Sequence, residues 1–216
     1  MIEVNSKSSI NREMFKSLNR RSFLEKSGQI ALAGSVFPLS LHAKHPKKMR
    51  FTLGLSQYSL RALLKDGSLD ALDFPKFTVD EFGIHAIDLW EGGMPKDKLD
   101  DSKYLATMRK KAEQAGTDLF LLMSGALDAS AKKREVSTAK ISASFDRAVQ
   151  LGAPMVRVFL KVPGTDPQVG LKVSVEALKP LADEAAKKNL TIAIEPGASS
   201  LSQKGAFLAE VATELK

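Results

Sequence analysis

The sequence contains no cysteine and only three histidines among its 216 residues. The absence of cysteine excludes disulfide bonds, thiolate metal sites, cysteine nucleophiles and a lipid anchor attached to cysteine. About 44% of the residues are hydrophobic and 26% are charged, which is typical of a soluble globular protein with one or at most two domains.

The net charge of +7 is unevenly distributed along the chain. Residues 1–50 carry ten basic and three acidic side chains, whereas residues 51–216 carry 22 of each sign. The main body of the protein is therefore neutral, and a nucleic-acid-binding function, which would need a basic face, is not favoured.

Residues 1–43 have the organisation of an export signal. The adjacent Arg20 and Arg21, followed by Ser22, Phe23 and Leu24, resemble the twin-arginine motif. The apolar stretch 30–39 is too short to span a bilayer as an ordinary helix, and a small residue precedes a basic linker at 44–50. We therefore expect export to the periplasm, with cleavage near residue 43; a basic tail without a targeting role is the alternative.

From residue 51 onward, five short apolar segments alternate with segments of helical spacing, at intervals of about 32 to 37 residues. This alternation predicts an α/β fold with a parallel sheet covered by helices. The predicted strands are 51–55, 86–90, 119–123, 155–160 and 191–194. Predicted helices end before a residue that tolerates a left-handed conformation, at Gly83, Gly116, Gly152 and Asn189.

Polar residues follow each predicted strand at its carboxyl end. They are Gln57, Tyr58, Glu91, Ser124, Lys161 and Glu195. No glycine-rich phosphate loop follows the first strand, which disfavours a dinucleotide-binding fold. In a (β/α)8 barrel all strand ends of this kind converge on one face, where active sites are built, so a TIM-barrel type is favoured.

Several segments together resemble the sugar phosphate isomerase/epimerase family of xylose-isomerase-like barrels. They are 54–60, 82–84, 88–91, 151–153 and 194–197. The resemblance covers residues 51–216 and implies proton transfer at a carbon next to a carbonyl, on a small sugar or sugar phosphate. It also implies a divalent cation (Mn, Mg, Co or Zn) held by four side chains after the last four strands.

Glu195 matches the first of these ligands and would also be one of two catalytic carboxylates. The other three ligands have no counterpart in the sequence, and no histidine is suitably placed. The positions at the strand ends further suggest Gln57, Tyr58, Glu91, Ser124 and Lys161 as substrate-binding residues. Lys161 would contact a phosphate or carboxylate, and a solvated lysine is the alternative. For Glu91 an ion pair with a neighbouring lysine is the alternative; Trp90 is either core packing or a platform for a sugar ring.

A closed barrel takes about 250 residues, whereas residues 51–216 hold about five of the eight strand–helix units. We therefore expect a C-terminally shortened barrel that is weakly active or inactive and does not retain its metal. The alternative functions are a non-catalytic carbohydrate-binding protein and, with less support, a barrel resembling abasic-site endonucleases.

Overall fold

The structure is a computed structural model that describes residues 51–215. The predicted export signal at 1–43 and the linker at 44–50 lie outside the described residues, as do His42 and His45. Within 51–215, no helix has the length and apolar character needed to cross a membrane.

Five parallel strands form one sheet in which the spatial order equals the chain order, β1-β2-β3-β4-β5. The strands are β1 (Gly54–Ser56), β2 (Ala86–Trp90), β3 (Asp118–Asp128), β4 (Met155–Lys161) and β5 (Thr191–Glu195). All five predicted strands are confirmed, and the parallel, sequentially ordered sheet has the fold of a TIM-barrel type. Two bounds were wrong by more than one residue: β1 begins at Gly54 rather than residue 51, and β3 extends five residues beyond Met123.

Helices connect consecutive strands. They are α1 (Arg61–Asp66), α2 (Phe74–Phe82), α3 (Ser102–Gln114), α4 (Arg134–Leu151), α5 (Pro167–Lys187) and α6 (Gly205–Glu214). Short 3-10 turns lie at Gln57–Leu60, Ala71–Asp73, Glu91–Gly93 and Lys96–Lys98. Because parallel crossovers are right-handed and the strand order never reverses, the helices cover the same face of the sheet.

The hydrophobic core lies between that face and the helices. On β4 the side chains of Val156, Val158 and Leu160 are buried and belong to this core. They pack in one cluster with Phe145 of α4 and Leu178 of α5. Since side chains alternate along a strand, Arg157 and Phe159 lie on the opposite, inner face of the sheet.

The predicted left-handed positions before the strands are confirmed. Gly83, Gly116 and Gly152 have φ of 64°, 66° and 78°, and Asn189, the single non-glycine residue with positive φ between 51 and 215, has φ of 56°. At Gly83 and Gly152 the backbone N–H donates to carbonyls of the last helical turn. These residues end the helices and turn the chain into the next strand.

The loop that follows β5 is held by α5 at a close helix–loop approach. A Cβ added at Gly170 of α5 would lie 2.5 Å from Cδ1 of Leu201 and 3.1 Å from Cγ1 of Val162. Leu201 is buried, and the N–H of Val162 donates to Oγ of Ser199 at 3.1 Å. The absence of a side chain at position 170 thus allows the loops after β4 and β5 to meet.

We expect Gly170→Ala to lower the free energy of unfolding by about 1–2 kcal/mol, because the new methyl group overpacks buried neighbours despite the better helix propensity of alanine. Gly205→Ala is the matched control, since a Cβ there meets no atom within 4 Å. Urea unfolding of the full chain measures both. Equal stability of the two variants would contradict a close approach at Gly170.

Candidate functional site

Three charged side chains lie on the inner face of the sheet, on three different strands. Asp88 lies in the middle of β2, Arg157 in the middle of β4, and Glu195 is the last residue of β5. In the strand register Phe159 pairs with Glu195, two residues beyond Arg157. Glu195 therefore lies at the carboxyl end of its strand, where parallel α/β proteins bind ligands, and Arg157 lies two residues before that level on the neighbouring strand.

The guanidinium of Arg157 is fixed by three neighbours. Its Nη1 donates to the backbone carbonyl of Ser124 at 3.2 Å, and its Cζ lies 4.4 Å from the centre of the Phe159 ring. Its Nε lies 2.9 Å from Oε2 of Glu195, which is close enough for an ion pair. The N–H is not directed at that oxygen, and Nε has no hydrogen-bond partner within residues 51–215.

The carbonyl that Arg157 uses is available because β3 is irregular. The pairing of β3 with β4 shifts between Met123 and Ala126, and Ser124 and Gly125 lie in this gap. An interruption of the ladder leaves backbone groups without a strand partner. A side chain from the neighbouring strand can then satisfy them, as Arg157 does.

The two members of the Arg157–Glu195 pair differ strongly in exposure. The Arg157 side chain is 10% exposed, whereas that of Glu195 is 45% exposed. Burial lowers the pKa of Arg157, and the carboxylates of Glu195 and Asp88 oppose that shift. The half-exposed carboxylate of Glu195 is therefore accessible from solvent while its counter-charge is held in the protein.

Asp88 is the third member of the charged cluster, which consists of Asp88, Arg157 and Glu195. Its Oδ1 accepts hydrogen bonds from Oγ of Ser56 at 2.9 Å and from the N–H of Gln57 at 3.2 Å. Burial raises the pKa of Asp88, and these two hydrogen bonds oppose the effect. Asp88 thus ties the end of β1 to β2 and carries a proton to a higher pH than an exposed aspartate does.

A cavity of about 330 Å³ opens beside Arg157 and Glu195. Its walls include three aromatic rings, of which Tyr58 and Trp90 meet edge to face at a centroid distance of 4.9 Å. The lining residues are Tyr58, Trp90, Met123, Ser124, Gly125, Ala126, Arg157, Phe159 and Glu195. Its volume is at the lower end of the range of small-molecule sites. The cavity combines apolar walls with an ion pair.

Gln57 does not line this cavity and is fully buried. Its Oε1 accepts a hydrogen bond from the N–H of Trp90 at 2.9 Å, while its Nε2 has no partner within residues 51–215. The two glycines after Glu91 make room for this packing: a Cβ at Gly92 would meet the Trp90 indole, and one at Gly93 would meet Oε1 of Gln57. Gln57 therefore fixes the backbone of Trp90 through this hydrogen bond.

Glu91 forms an ion pair, which was the predicted alternative to substrate binding. Its partner, however, is an arginine on a distant helix and not a neighbouring lysine. Oε1 of Glu91 accepts a hydrogen bond from Nη1 of Arg147 at 2.7 Å, and the side chains are 15% and 13% exposed. Arg147 also contacts the exposed Asp100 at 2.9 Å. This pair attaches the loop after β2 to α4 and lies outside the cavity.

Ser124 and Lys161 have protein partners. The hydroxyl of Ser124 lies 2.7 Å from that of Ser144 on α4, so it points toward a helix although the residue lines the cavity. Ser124 was expected at the end of the third strand and instead lies inside it. Lys161 is exposed, lies 3.8 Å from the carboxylate of Asp128 and does not line the cavity.

The structure thus brings Tyr58, Ser124 and Glu195 together in one cavity and keeps Gln57, Glu91 and Lys161 out of it. Asp88 and Arg157 were not predicted from the sequence to be site residues. Each is a single charged residue inside an apolar strand, and this pattern could have identified both. A charged side chain in such a position is buried only when it has an opposite charge or hydrogen-bond partners.

No group of three or more histidine, aspartate or glutamate side chains within residues 51–215 is arranged to hold a metal ion. His85 lies just before β2, at the opposite end of the sheet from the cavity, with Nδ1 2.9 Å from the carbonyl of Gly116. Glu195 is therefore the one predicted metal ligand in the described part of the chain.

Residues 78–215 match the profile of a family described as xylose isomerase-like TIM barrel. The chain belongs to this family. The match includes Asp88, Arg157 and Glu195, so the charged cluster lies within the family's domain. No curated protein sequence matches the chain.

Solved structures with this xylose isomerase-like fold include a probable 3-DHS dehydratase, AsbF, involved in petrobactin synthesis, from Bacillus anthracis (TM-score 0.62, 16% identity, covering 76% of this chain and 59% of that chain). Another is the IolI protein with a bound zinc atom (0.59, 15%, 76% and 59%). A third is a D-psicose 3-epimerase in the presence of D-fructose (0.54, 19%, 74% and 60%). The chain spans about 60% of the length of these structures, and identities this low establish the fold alone.

Asp88→Asn should change how stability depends on pH. The folded-state pKa of Asp88 is raised above the unfolded value of about 3.8, so the folded wild type binds more protons and loses stability as pH rises through this window. Asparagine keeps an Oδ1 acceptor for Ser56 and Gln57 but carries no charge. We therefore expect the stability of the variant relative to wild type to increase as pH rises from below about 3.8.

Urea unfolding at a series of pH values measures this difference. Asp97→Asn, at an exposed position, is the matched control for the change of charge. A difference between wild type and Asp88→Asn that stays constant across the series would contradict the raised pKa.

The Glu91–Arg147 pair should contribute to stability. We expect Glu91→Gln to lower the free energy of unfolding by about 2 kcal/mol, because it leaves a buried guanidinium without its main counter-charge. Asp100→Asn removes the partner that is 79% exposed and should cost less than about 0.5 kcal/mol. Thermal or urea unfolding of both variants tests this, and equal losses would show that the exposed contact matters as much as the buried one.

Proposed function

We propose that the chain binds a small sugar in the cavity beside Arg157 and Glu195 and acts on it as an isomerase or epimerase. The observation that carries this proposal is the half-exposed carboxylate of Glu195, which lines a cavity with three aromatic rings and a fixed guanidinium. Aromatic rings pack against the C–H faces of sugars, while charged groups bind hydroxyl and carbonyl oxygens. The epimerase among the solved structures, described with D-fructose, supports the same ligand class.

The proposed reaction is a proton transfer next to a carbonyl. A carboxylate oxygen of Glu195 takes the proton from the carbon adjacent to the C=O group. The C–H electron pair forms a C=C bond, and the carbonyl π pair moves to the oxygen. For an aldose–ketose isomer, the former carbonyl oxygen gains a proton from water, the hydroxyl on the deprotonated carbon loses its proton to water to become the new C=O group, and Glu195 returns its proton to the former carbonyl carbon. For an epimer, water delivers a proton to the opposite face of the deprotonated carbon, the original C=O group re-forms, and Glu195 releases its proton to water. The step needs no oxidant or reductant.

The charges favour a free sugar over a sugar phosphate. Arg157 is the one cationic residue that lines the cavity in the described part of the chain, and it already lies against Glu195. Lys161, the expected phosphate ligand, contacts Asp128 away from the cavity. A phosphate group would therefore add negative charge where two carboxylates already share one guanidinium.

A divalent cation is the cofactor that the family resemblance implies, and the IolI structure holds a zinc atom. The described residues do not fit such an ion, because they offer no cluster of three ligating side chains around Glu195. The proton transfer proposed above is accordingly assigned to Glu195 and not routed through a metal.

A second candidate is a carbohydrate-binding protein without catalytic activity. One observation favours it: among the described residues that line the cavity, Glu195 is the single carboxylate, whereas the expected mechanism uses two. Binding of a sugar without exchange of its carbon-bound hydrogen would distinguish this function from the isomerase.

Ligand binding can be followed through the protein's only tryptophan, because Trp90 lines the cavity. We expect D-fructose to change Trp90 fluorescence, and incubation in D2O to place deuterium at the carbon next to the carbonyl, seen by NMR. Glu195→Gln should reduce the exchange rate at least about 100-fold, because the amide cannot take the proton.

Glu210→Gln, at an exposed position of α6, is the matched control and should leave exchange unchanged. Exchange that is unaffected by Glu195→Gln would remove Glu195 from the mechanism. Absence of both fluorescence change and exchange across a panel of ketoses and aldoses would refute the proposed function.

A further inference from the structure

We propose that Arg157 provides the positive charge that binds a substrate oxygen beside Glu195, so that sugar binding at this site does not require a divalent metal. This inference rests on the proposed function, because it concerns the same cavity and ligand class. It assigns to a residue of this chain the electrostatic role that the family resemblance gives to a metal ion.

The guanidinium is held in place before any ligand arrives. Its Nη1 is hydrogen-bonded to the carbonyl of Ser124, and its plane is supported by the ring of Phe159 at 4.4 Å. The side chain is 10% exposed, so few rotamers are open to it. A charge fixed in this way loses little freedom when a substrate oxygen binds, which is the condition for effective electrostatic stabilisation.

Arg157 also has unused hydrogen-bonding capacity on the side of Glu195. Its Nε is 2.9 Å from Oε2 of Glu195, yet the N–H does not point to that oxygen and has no other acceptor within residues 51–215. Buried N–H groups are normally satisfied, so an orphan donor in a cavity-lining residue indicates a missing acceptor. A carbonyl or hydroxyl oxygen of a sugar that lies in the cavity against the guanidinium would provide an acceptor, because the 2.9 Å between Nε and Oε2 leaves no room for an atom between them.

The same geometry disfavours a metal on Oε2 of Glu195. A divalent ion bound to Oε2 would lie close to a guanidinium that is 2.9 Å from that oxygen, and the two positive charges would repel. The nearest further carboxylate on the inner face, Asp88, uses Oδ1 to accept from Ser56 and Gln57. The charge of Glu195 is thus already balanced by the protein.

During proton transfer the arginine would serve a second purpose. As Glu195 takes the proton, negative charge develops on the former carbonyl oxygen. An oxygen bound against the guanidinium would have that charge stabilised by it, and the guanidinium does not itself lose a proton. Arg157 is in this scheme a substrate-binding residue, and Glu195 is the group that moves the proton.

The test uses the full chain and D-fructose, with Trp90 fluorescence as the readout of binding. We expect the same dissociation constant in EDTA as with added Mn²⁺ or Zn²⁺. Arg157→Gln should weaken binding at least about tenfold, a loss typical of one charge-assisted hydrogen bond. Arg157→Lys, which keeps the charge but not the fork of donors, should bind with intermediate affinity.

Arg109→Gln, on the exposed surface of α3, is the matched control and should bind like wild type. Circular dichroism and thermal unfolding check that the variants fold. If Arg157→Gln does not fold, the comparison between EDTA and added metal on the wild type decides alone.

Binding that EDTA abolishes and metal restores would overturn this inference, as would a folded Arg157→Gln with wild-type affinity. Either result would leave the proposed sugar-binding function intact. Absence of D-fructose binding in EDTA and with either metal would overturn the inference as well, and the wider panel of sugars would then show whether the proposed function fails with it.

Discussion

A guanidinium buried in the middle of an apolar strand determines the arrangement of the site. The cost of removing Arg157 from water must be offset by partners, and each comes from a different part of the sheet. The Ser124 carbonyl comes from the irregular segment of β3, the Phe159 ring from β4 itself, and the Glu195 carboxylate from β5. The irregularity in β3 is therefore part of the site, because without it the Ser124 carbonyl would be used in strand pairing.

The arrangement of the sheet could be predicted from the sequence, because it follows from local patterns. Each strand is a short apolar run, and the left-handed residues that end the helices, such as Gly152 and Asn189, are identifiable by type. The true length of β3 could not be predicted, since Ser124 and Gly125 interrupt its apolar pattern where the chain continues as a strand. Beyond this interruption, pairing of residues 126–128 with β4 continues the strand.

The site was predicted less completely, because its contacts join residues far apart in the chain. Glu195 was identified by its place after β5, but its partner Arg157 lies 38 residues earlier in a strand that otherwise indicates core. Glu91 was predicted to bind substrate, with a neighbouring lysine as the alternative partner, whereas its partner Arg147 is 56 residues away on α4. The sequence can show that a residue lies at the end of a strand. What its side chain contacts depends on how the helices and neighbouring strands pack around it.

The two carboxylate–arginine pairs at the carboxyl ends of the strands differ in a way that separates stability from ligand binding. In the Glu91–Arg147 pair both side chains are mostly buried, so each charge depends on the other. In the Arg157–Glu195 pair the arginine is buried while the carboxylate is 45% exposed. Water already competes for Glu195, so a ligand oxygen can replace part of that hydration at low cost while Arg157 stays in place. This asymmetry, and not the presence of an ion pair, is what makes the second pair suited to binding a substrate.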